Sequence, residues 1–378
     1  MGWDDLTGQA EAIASVRAAA AGDGMVHSWL ITGPPGSGRS LLAYAFAAAL
    51  ITQPGQEHRT EAQVDARTHP DLGVLSTDAV TIRIEDVRAL VASSQFSPSV
   101  GRYRVMVIED ADRMTERTSN VLLKALEEPP PRTVWILCAP SDADLIPTIR
   151  SRVRTVRLRV PGVEEVAELI ARRDGVSLPD ATRAAREAQS HIGMAHRLAT
   201  DEEARRRRAR TLQLALGIHS VSGAVLAAGE LLEVAGADAK AITEERDAEE
   251  RESALRSLGI EPGGTVPPAL RSTLKSLEED QKRRATRSLR DGLDRILVDL
   301  LSLYRDILLV QLQVGVDPVN LAIYSQLEVA ARASTPAQSL ATLDAIAEAR
   351  TRIDGNVAPA LALEAMLVVA VRDSTPAP

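Results

Sequence analysis

The sequence predicts an α/β module, a parallel sheet with helices on both faces, followed by a small helical lid and an all-α domain. Three observations predict it. Short apolar segments alternate with helical patterns over residues 1–160. A glycine-rich loop, Gly33-Pro34-Pro35-Gly36-Ser37-Gly38-Arg39-Ser40, joins the first apolar segment to a helical one. From residue 161 onward the pattern is helical. Strands that alternate with helices imply a parallel sheet with its crossover helices packed on the faces.

Taken in order, Ser28 to Thr32 reads as a buried strand, the glycine turn follows, and a helix runs from Arg39 to Leu50. Val74-Leu75, Val105 to Ile108, Val134 to Leu137 and Thr155 to Leu158 supply further strands. Residues 53–70, rich in Gln, Glu, Arg and Thr, read as a polar linker. Pro161-Gly162 marks a domain edge. Residues 161–200, broken at Asp174-Gly175 and at Gly193, suffice for a lid of three short helices. Residues 201–378 make the third part, with a charged insertion at 238–287 that turns at Glu261-Pro262-Gly263-Gly264. There Leu289, Leu293, Ile296, Leu297, Leu300, Tyr304, Ile307, Leu308 and Leu312 recur at three- and four-residue steps, the mark of an amphipathic helix. Ala360 to Val371 is a last apolar helix after Pro359, and the arginine run Arg205 to Arg208 reads as a solvated helix face.

The bulk numbers set limits. A chain of 378 residues exceeds one compact core, so two or three domains are expected. Aromatics are only 2% of a chain that is 45% hydrophobic, so the core is built of Ala, Leu, Val and Ile, a helix-favouring composition. A net charge of −8 argues against a protein that coats DNA unaided through a broad basic surface. The single cysteine, Cys138, lies in a predicted strand and reads as a buried, inert thiol in a reducing, cytoplasmic setting. No basic run followed by an apolar stretch opens the chain, and no segment offers about 18 consecutive apolar residues, so neither a signal peptide nor a membrane span is expected.

The chemistry concentrates in the first 160 residues. In a phosphate-binding loop, glycines let backbone N–H groups converge on phosphate oxygens while the following helix N-terminus adds positive potential. Gly33, Gly36 and Gly38 supply that turn, with Ser37 between them, and Ser40 offers a hydroxyl for Mg²⁺. The position usually held by lysine is Arg39, which keeps the charge as a bulkier planar fork. The strand Val105 to Ile108 ends in Glu109-Asp110, where P-loop ATPases place a Mg²⁺-holding acid. Ser119-Asn120-Val121-Leu122-Leu123-Lys124-Ala125-Leu126-Glu127-Glu128-Pro129-Pro130 follows, then a strand, then Ser151-Arg152.

In that order and at those spacings, the segments resemble the clamp-loader branch of the AAA+ ATPases, and within it bacterial subunits of the DNA polymerase III delta-prime type. Leu6-Thr7-Gly8-Gln9, His27, Thr68-His69-Pro70-Asp71 and Leu361-Ala362-Leu363-Glu364 add to the resemblance. It is strongest over 27–160 and weakest over 205–290. It implies an AAA+ module at 1–160, a helical lid at 161–200 and a helical collar at 201–378. The partners implied are the other subunits of an open, five-membered loader, and through it the sliding clamp and primed DNA in replication. As a component of the DNA polymerase III holoenzyme, such a subunit is not catalytic by itself.

The resemblance also assigns roles. Arg152 stands where the family places an arginine finger that enters a neighbour's ATP site and stabilises the transferring phosphoryl group. Arg197 maps to the lid arginine. The cysteine that follows the finger in the family is Val153 here. The family's usual order of strand-end acids is reversed in Glu109-Asp110, which displaces each carboxylate by one methylene, about 1.5 Å. A misplacement of that size can cost about a hundredfold in rate. Ser141 is the one candidate for the polar residue that senses the γ-phosphate. Residues 53–67 contain no cysteine, and His58 and His69 are too few to replace a four-cysteine zinc site, so no zinc is expected. ATP with Mg²⁺, held by Ser40 and Glu109, is the cofactor the loop suggests. Three readings stand open at this level. One is a poorly hydrolysing stator that completes a neighbour's site; the second is an ATP-hydrolysing motor, of a loader or of helicase type. The third is a DNA-binding protein without nucleotide chemistry, which the net charge disfavours.

Overall fold

The computed structural model describes the backbone of residues 3, 6–77, 80–257, 271–355 and 357–371, with side chains for these except 242–257, 271–280, 283 and 284. The chain divides into two compact units, Met1–Thr200 and Asp201–Pro378.

The first unit is built on five parallel strands: β1 (Ser28–Thr32), β2 (Leu72–Leu75), β3 (Arg104–Ile108), β4 (Thr133–Ala139) and β5 (Arg154–Arg157), in the order β2-β3-β4-β1-β5. The central strands are apolar on both faces, as a sheet covered by helices on each side requires. Alternate residues divide between two cores. Trp29, Ile31, Val105, Val107, Ile136 and Cys138 pack toward helices α1 (Ala10–Ala20) and α2 (Arg39–Ile51), beside Leu42 and Phe46. Leu30, Met106, Ile108, Trp135 and Leu137 pack on the opposite side, with Val87 and Leu90 of helix α4 (Ile84–Ser94) and Leu122 and Leu126 of helix α5 (Glu116–Glu127). Cys138 is fully buried, and burial pushes its thiol up to about 12.

The polar segment at 53–70 is not a plain linker. It contains helix α3 (Glu57–Asp65), which buries Thr60 and Val64 one turn apart. The segment Thr68-His69-Pro70-Asp71 then acts as a staple. Asp71 is wholly buried and accepts from the N–H groups of Ser99, Val100 and Gly101 and from Ser99 Oγ, at 2.6–2.9 Å.

A four-residue helix, α6 (Pro147–Arg150), precedes β5. Three helices complete the unit: α7 (Val163–Asp174), α8 (Leu178–Glu187) and α9 (Ile192–Thr200). The first break falls at Gly175, in the left-handed region with φ 67°. The second does not fall at Gly193, which lies inside α9. It falls at Gln189 and Ser190, with φ 51° and 63°, a conformation uncommon for residues with a side chain.

The second unit has no strand among its described residues and is built of helices α10 (Glu202–Leu216), α11 (Val221–Ser257), α12 (Arg271–Gln311), α13 (Tyr324–Arg332), α14 (Pro336–Asp354) and α15 (Pro359–Val369). The periodic leucines of α12 form the middle of its core, with Leu293, Leu300 and Leu303 fully buried. The turn expected at Glu261-Pro262-Gly263-Gly264 lies outside the described residues. The arginine run departs from a solvated face. Arg206 is exposed and pairs with Glu202 and Glu203, but Arg208 is buried, donating to Asp299 at 3.0 Å and to Asn320 Oδ1 at 2.6 Å. Successive helical residues are turned about 100° apart, so four in a row cannot share one face.

No described helix is long and apolar enough to cross a membrane.

Candidate nucleotide site and exposed arginine

The glycine loop runs from the end of β1 into α2, as a phosphate loop must. Gly36 and Gly38 have φ of 79° and 94°, values glycine reaches without steric cost. Gly38 caps α2, whose first turn carries no acidic residue and whose N-cap makes no side-chain hydrogen bond. The orphan N–H groups of that turn therefore face the loop. Ser37 Oγ is buried without a hydrogen-bond partner among the described residues, and so is Nη1 of Arg39. Ser40 sits half-buried in the first turn.

The strand-end acids are placed differently from one another. Glu109 turns to Tyr44, one turn beyond Ser40 on α2, and accepts its hydroxyl proton at 2.5 Å. Its Oε1 also meets Arg67 at 2.8 Å, and the Arg67 guanidinium stacks over the Tyr44 ring at 5.2 Å. Burial, and then the bond to the Glu109 carboxylate, push the Tyr44 phenol far up, so it stays a donor. Glu109 thus already holds a resident cation. Asp110 has Arg113 at 3.9 Å. Asp112, which sequence reasoning passed over, has its carboxyl raised, chiefly by burial and also by Asp110, while the nearby charges of Arg113 and Arg39 oppose the shift.

Ser141 is committed locally. It accepts from Ala143 N–H at 3.2 Å in a capping box with Asp144, so its hydroxyl serves a turn. The lid reaches the loop through a residue the sequence did not single out. The His191 ring stands over Gly36, where a Cβ would lie 2.4 Å from it. Nδ1 of His191 accepts from Met194 N–H, which caps α9 and fixes the ring. Arg197 lies half-buried on α9, in its last turn. Among the described residues, no group of three or more His, Cys, Asp or Glu side chains is placed to hold a metal ion.

Arg152 lies outside the loop region, just past α6. Its side chain is 35% exposed. Nε and Nη2 both meet Glu127 Oε1, at 2.6 and 2.5 Å, while Nη1 donates to Thr148 O at 2.7 Å and to Ser151 Oγ at 3.0 Å. The flanking arginines do not join it in one patch. Arg154 donates to Gly24 O and stacks over Trp29 at 5.0 Å, and Arg150 is exposed.

Residues 8–161 match the family model described as DNA polymerase III, delta subunit. A protein named DNA polymerase III subunit delta′ from Pseudomonas aeruginosa is 35% identical over 162 residues, which are 41% of this chain and 48% of that one. The protein of the same name from Escherichia coli is 32% identical over 143 residues, 36% of this chain and 43% of its own length. The chain thus spans about half the length of the curated relatives it matches. Among solved structures, a DNA polymerase III gamma subunit-related protein of Thermotoga maritima aligns over 95% of this chain and 98% of its own with 17% identity and a TM-score of 0.46, a loose likeness. Over residues 8–161, which build the P-loop module, the chain is similar to the DNA polymerase III delta-subunit family, and proteins named subunit delta′ are among those it resembles.

Proposed function

We propose that this protein is a clamp-loader subunit of the delta-prime type: a stator that hydrolyses ATP poorly or not at all and lends Arg152 to an ATP site on a neighbouring subunit. The relatives over residues 8–161 support the loader role. The placement of Glu109 carries the stator reading. A carboxylate already bridged to Arg67 and Tyr44 is a poor ligand for Mg²⁺, and the terminal phosphates of ATP need that ion to neutralise their developing charge. The loop itself fits an anion. The uncapped start of α2, the buried Ser37 hydroxyl and the unpartnered Nη1 of Arg39 are donors that a phosphate would satisfy. Nucleotide held without efficient turnover is the combination these groups support. Bound ATP would supply the triphosphate, and Gly36, Ser37, Gly38, Arg39 and Ser40 would bind and orient it.

Arg152 has what a finger acting in trans needs: it is a guanidinium that is exposed and fixed in direction. An arginine finger supplied in trans is worth about a thousandfold or more in rate. The test is reconstitution with the remaining loader subunits. Arg152→Ala leaves co-elution intact and lowers ATP turnover of the assembled complex; unchanged turnover rules the finger out. The loop's open donors favour the second reading, an ATP-hydrolysing motor. Vigorous turnover by the purified chain alone, abolished by Ser40→Ala, would establish it and end the stator reading.

A further inference from the structure

We propose that Glu127 is the positioning residue of the finger, the group that aims the Arg152 guanidinium. This inference rests on the reading of Arg152 as a residue acting in trans.

The first observation is a conflict with helix electrostatics. Glu127 is the last residue of α5. A carboxylate there faces the negative end of the helix dipole, an unfavourable place for an acid. The last turn also carries Lys124, but the cation hydrogen-bonded to the Glu127 carboxylate is Arg152, 25 positions on. The second observation is that both ends of the pair are anchored in the core. His27 donates through Nε2 to Leu126 O at 2.9 Å, which satisfies an orphan carbonyl of α5 and pins the residue before Glu127 to the start of β1. Leu126 is fully buried beside it. On the other side, Arg152 N–H donates to Ile149 O at 2.9 Å, and Ile149 is fully buried in the same core.

The third observation is the donor count. A guanidinium has five N–H groups. Glu127 takes one on Nε and one on Nη2, and Thr148 O and Ser151 Oγ engage Nη1. The second N–H of Nη2 is the one these contacts leave over, and it lies at the outer end of the fork. A flexible arginine is thereby reduced to a fixed cation with one outward direction. The pair itself stabilises the fold little, because both side chains are well exposed, at 35% and 45%. Its value is directional: a group held before the reaction need not be ordered during it.

The experiment uses the assembled loader containing this full chain as wild type, Arg152→Ala, Glu127→Ala, Glu127→Gln and the double variant. The quantity read is the part of ATP turnover that Arg152→Ala removes. Glu127→Ala lowers that part about tenfold to a hundredfold, the cost of a misplacement near 1 Å, with KM for ATP and subunit co-elution unchanged, because the finger acts in the transition state. Glu127→Gln, which keeps an accepting oxygen in place, recovers most of the loss. The double variant is no slower than Arg152→Ala, since Glu127 acts only through that residue. Full turnover in Glu127→Ala beside a slowed Arg152→Ala overturns the inference and leaves the finger standing, and so does a double variant in which the two losses multiply. A turnover unaffected by Arg152→Ala overturns both.

Discussion

Asp71→Asn is the sharpest test of how the first unit is held together. The substitution hardly changes volume, so no cavity forms. The carboxylate has donors on both sides: Ser99 N–H at 2.6 Å and Ser99 Oγ at 2.9 Å face Oδ1, while Val100 N–H at 2.8 Å and Gly101 N–H at 2.6 Å face Oδ2. Arg104 adds a cation 3.6 Å away. An asparagine amide sets its NH₂ against donors in either orientation. The cheaper one points it at Ser99, whose hydroxyl can turn to accept while its N–H loses its acceptor. The Val100 and Gly101 bonds then fall from charge-assisted to neutral strength, a loss of about 1 kcal/mol each, and the broken Ser99 N–H bond adds about 1 kcal/mol, about 3 kcal/mol in all. That is a large share of the stability of an ordinary domain.

Trp3, Trp29 and Trp135, the chain's three tryptophans, all lie in the first unit, so their fluorescence in a urea titration reads that unit alone. The midpoint falls while the slope is unchanged. Burial pushes the Asp71 carboxyl up, but the donors from Gly101, Ser99 and Val100 outweigh it, and the net shift is below the ordinary 3.8. A depressed folded-state pKa gives stability that is present above 3.8 and lost as pH falls through the lower folded value. The gap between wild type and Asp71→Asn is therefore full at pH 6 and closes below pH 4. A destabilisation under about 1 kcal/mol, or a gap that does not close in acid, would refute the reasoning, since an interaction of the size assigned here depends on the carboxylate charge.

Two further outcomes are expected. Arg208→Ala removes the cation that Asp299 and Asn320 Oδ1 accept from inside the second unit and costs about 1–3 kcal/mol, seen as faster amide hydrogen exchange in α10 and α12; exchange like that of the wild type would mean the pair is dispensable. Arg67→Ala combined with Tyr44→Phe releases Glu109, so Mg²⁺ tightens ATP binding severalfold more than in the wild type, read by calorimetry with and without the metal. An unchanged metal effect would remove Arg67 as the reason Glu109 is a poor ligand.

The central strands β1, β3 and β4 were legible because each is contiguous and largely apolar, and because burial on both faces needs no knowledge of partners. The loop was legible because its glycines carry backbone conformations that local sequence demands. Helix α3 was not, since only Thr60 and Val64 of its nine residues are buried and its polar face dominates the pattern. The second lid break was placed at the glycine, whereas Gln189 and Ser190 adopt the left-handed backbone. Glycine is the usual occupant of that region, not the required one.

Sequence alone singled out the candidate groups: a phosphate-type loop with arginine for lysine, acids at a strand end, and an arginine after serine. Each of those depends on neighbours along the chain, within one turn or one strand. Tertiary structure decided what each group faces. Glu109 meets Arg67 across 42 positions, Glu127 meets Arg152 across 25, and the His191 ring comes to rest on Gly36. It also decided that one arginine of four points into a core. The physical reason is common to all of them. A charge is stabilised or spent by whatever lies within a few ångströms, and chain separation says nothing about that distance until the sheet and helices have packed.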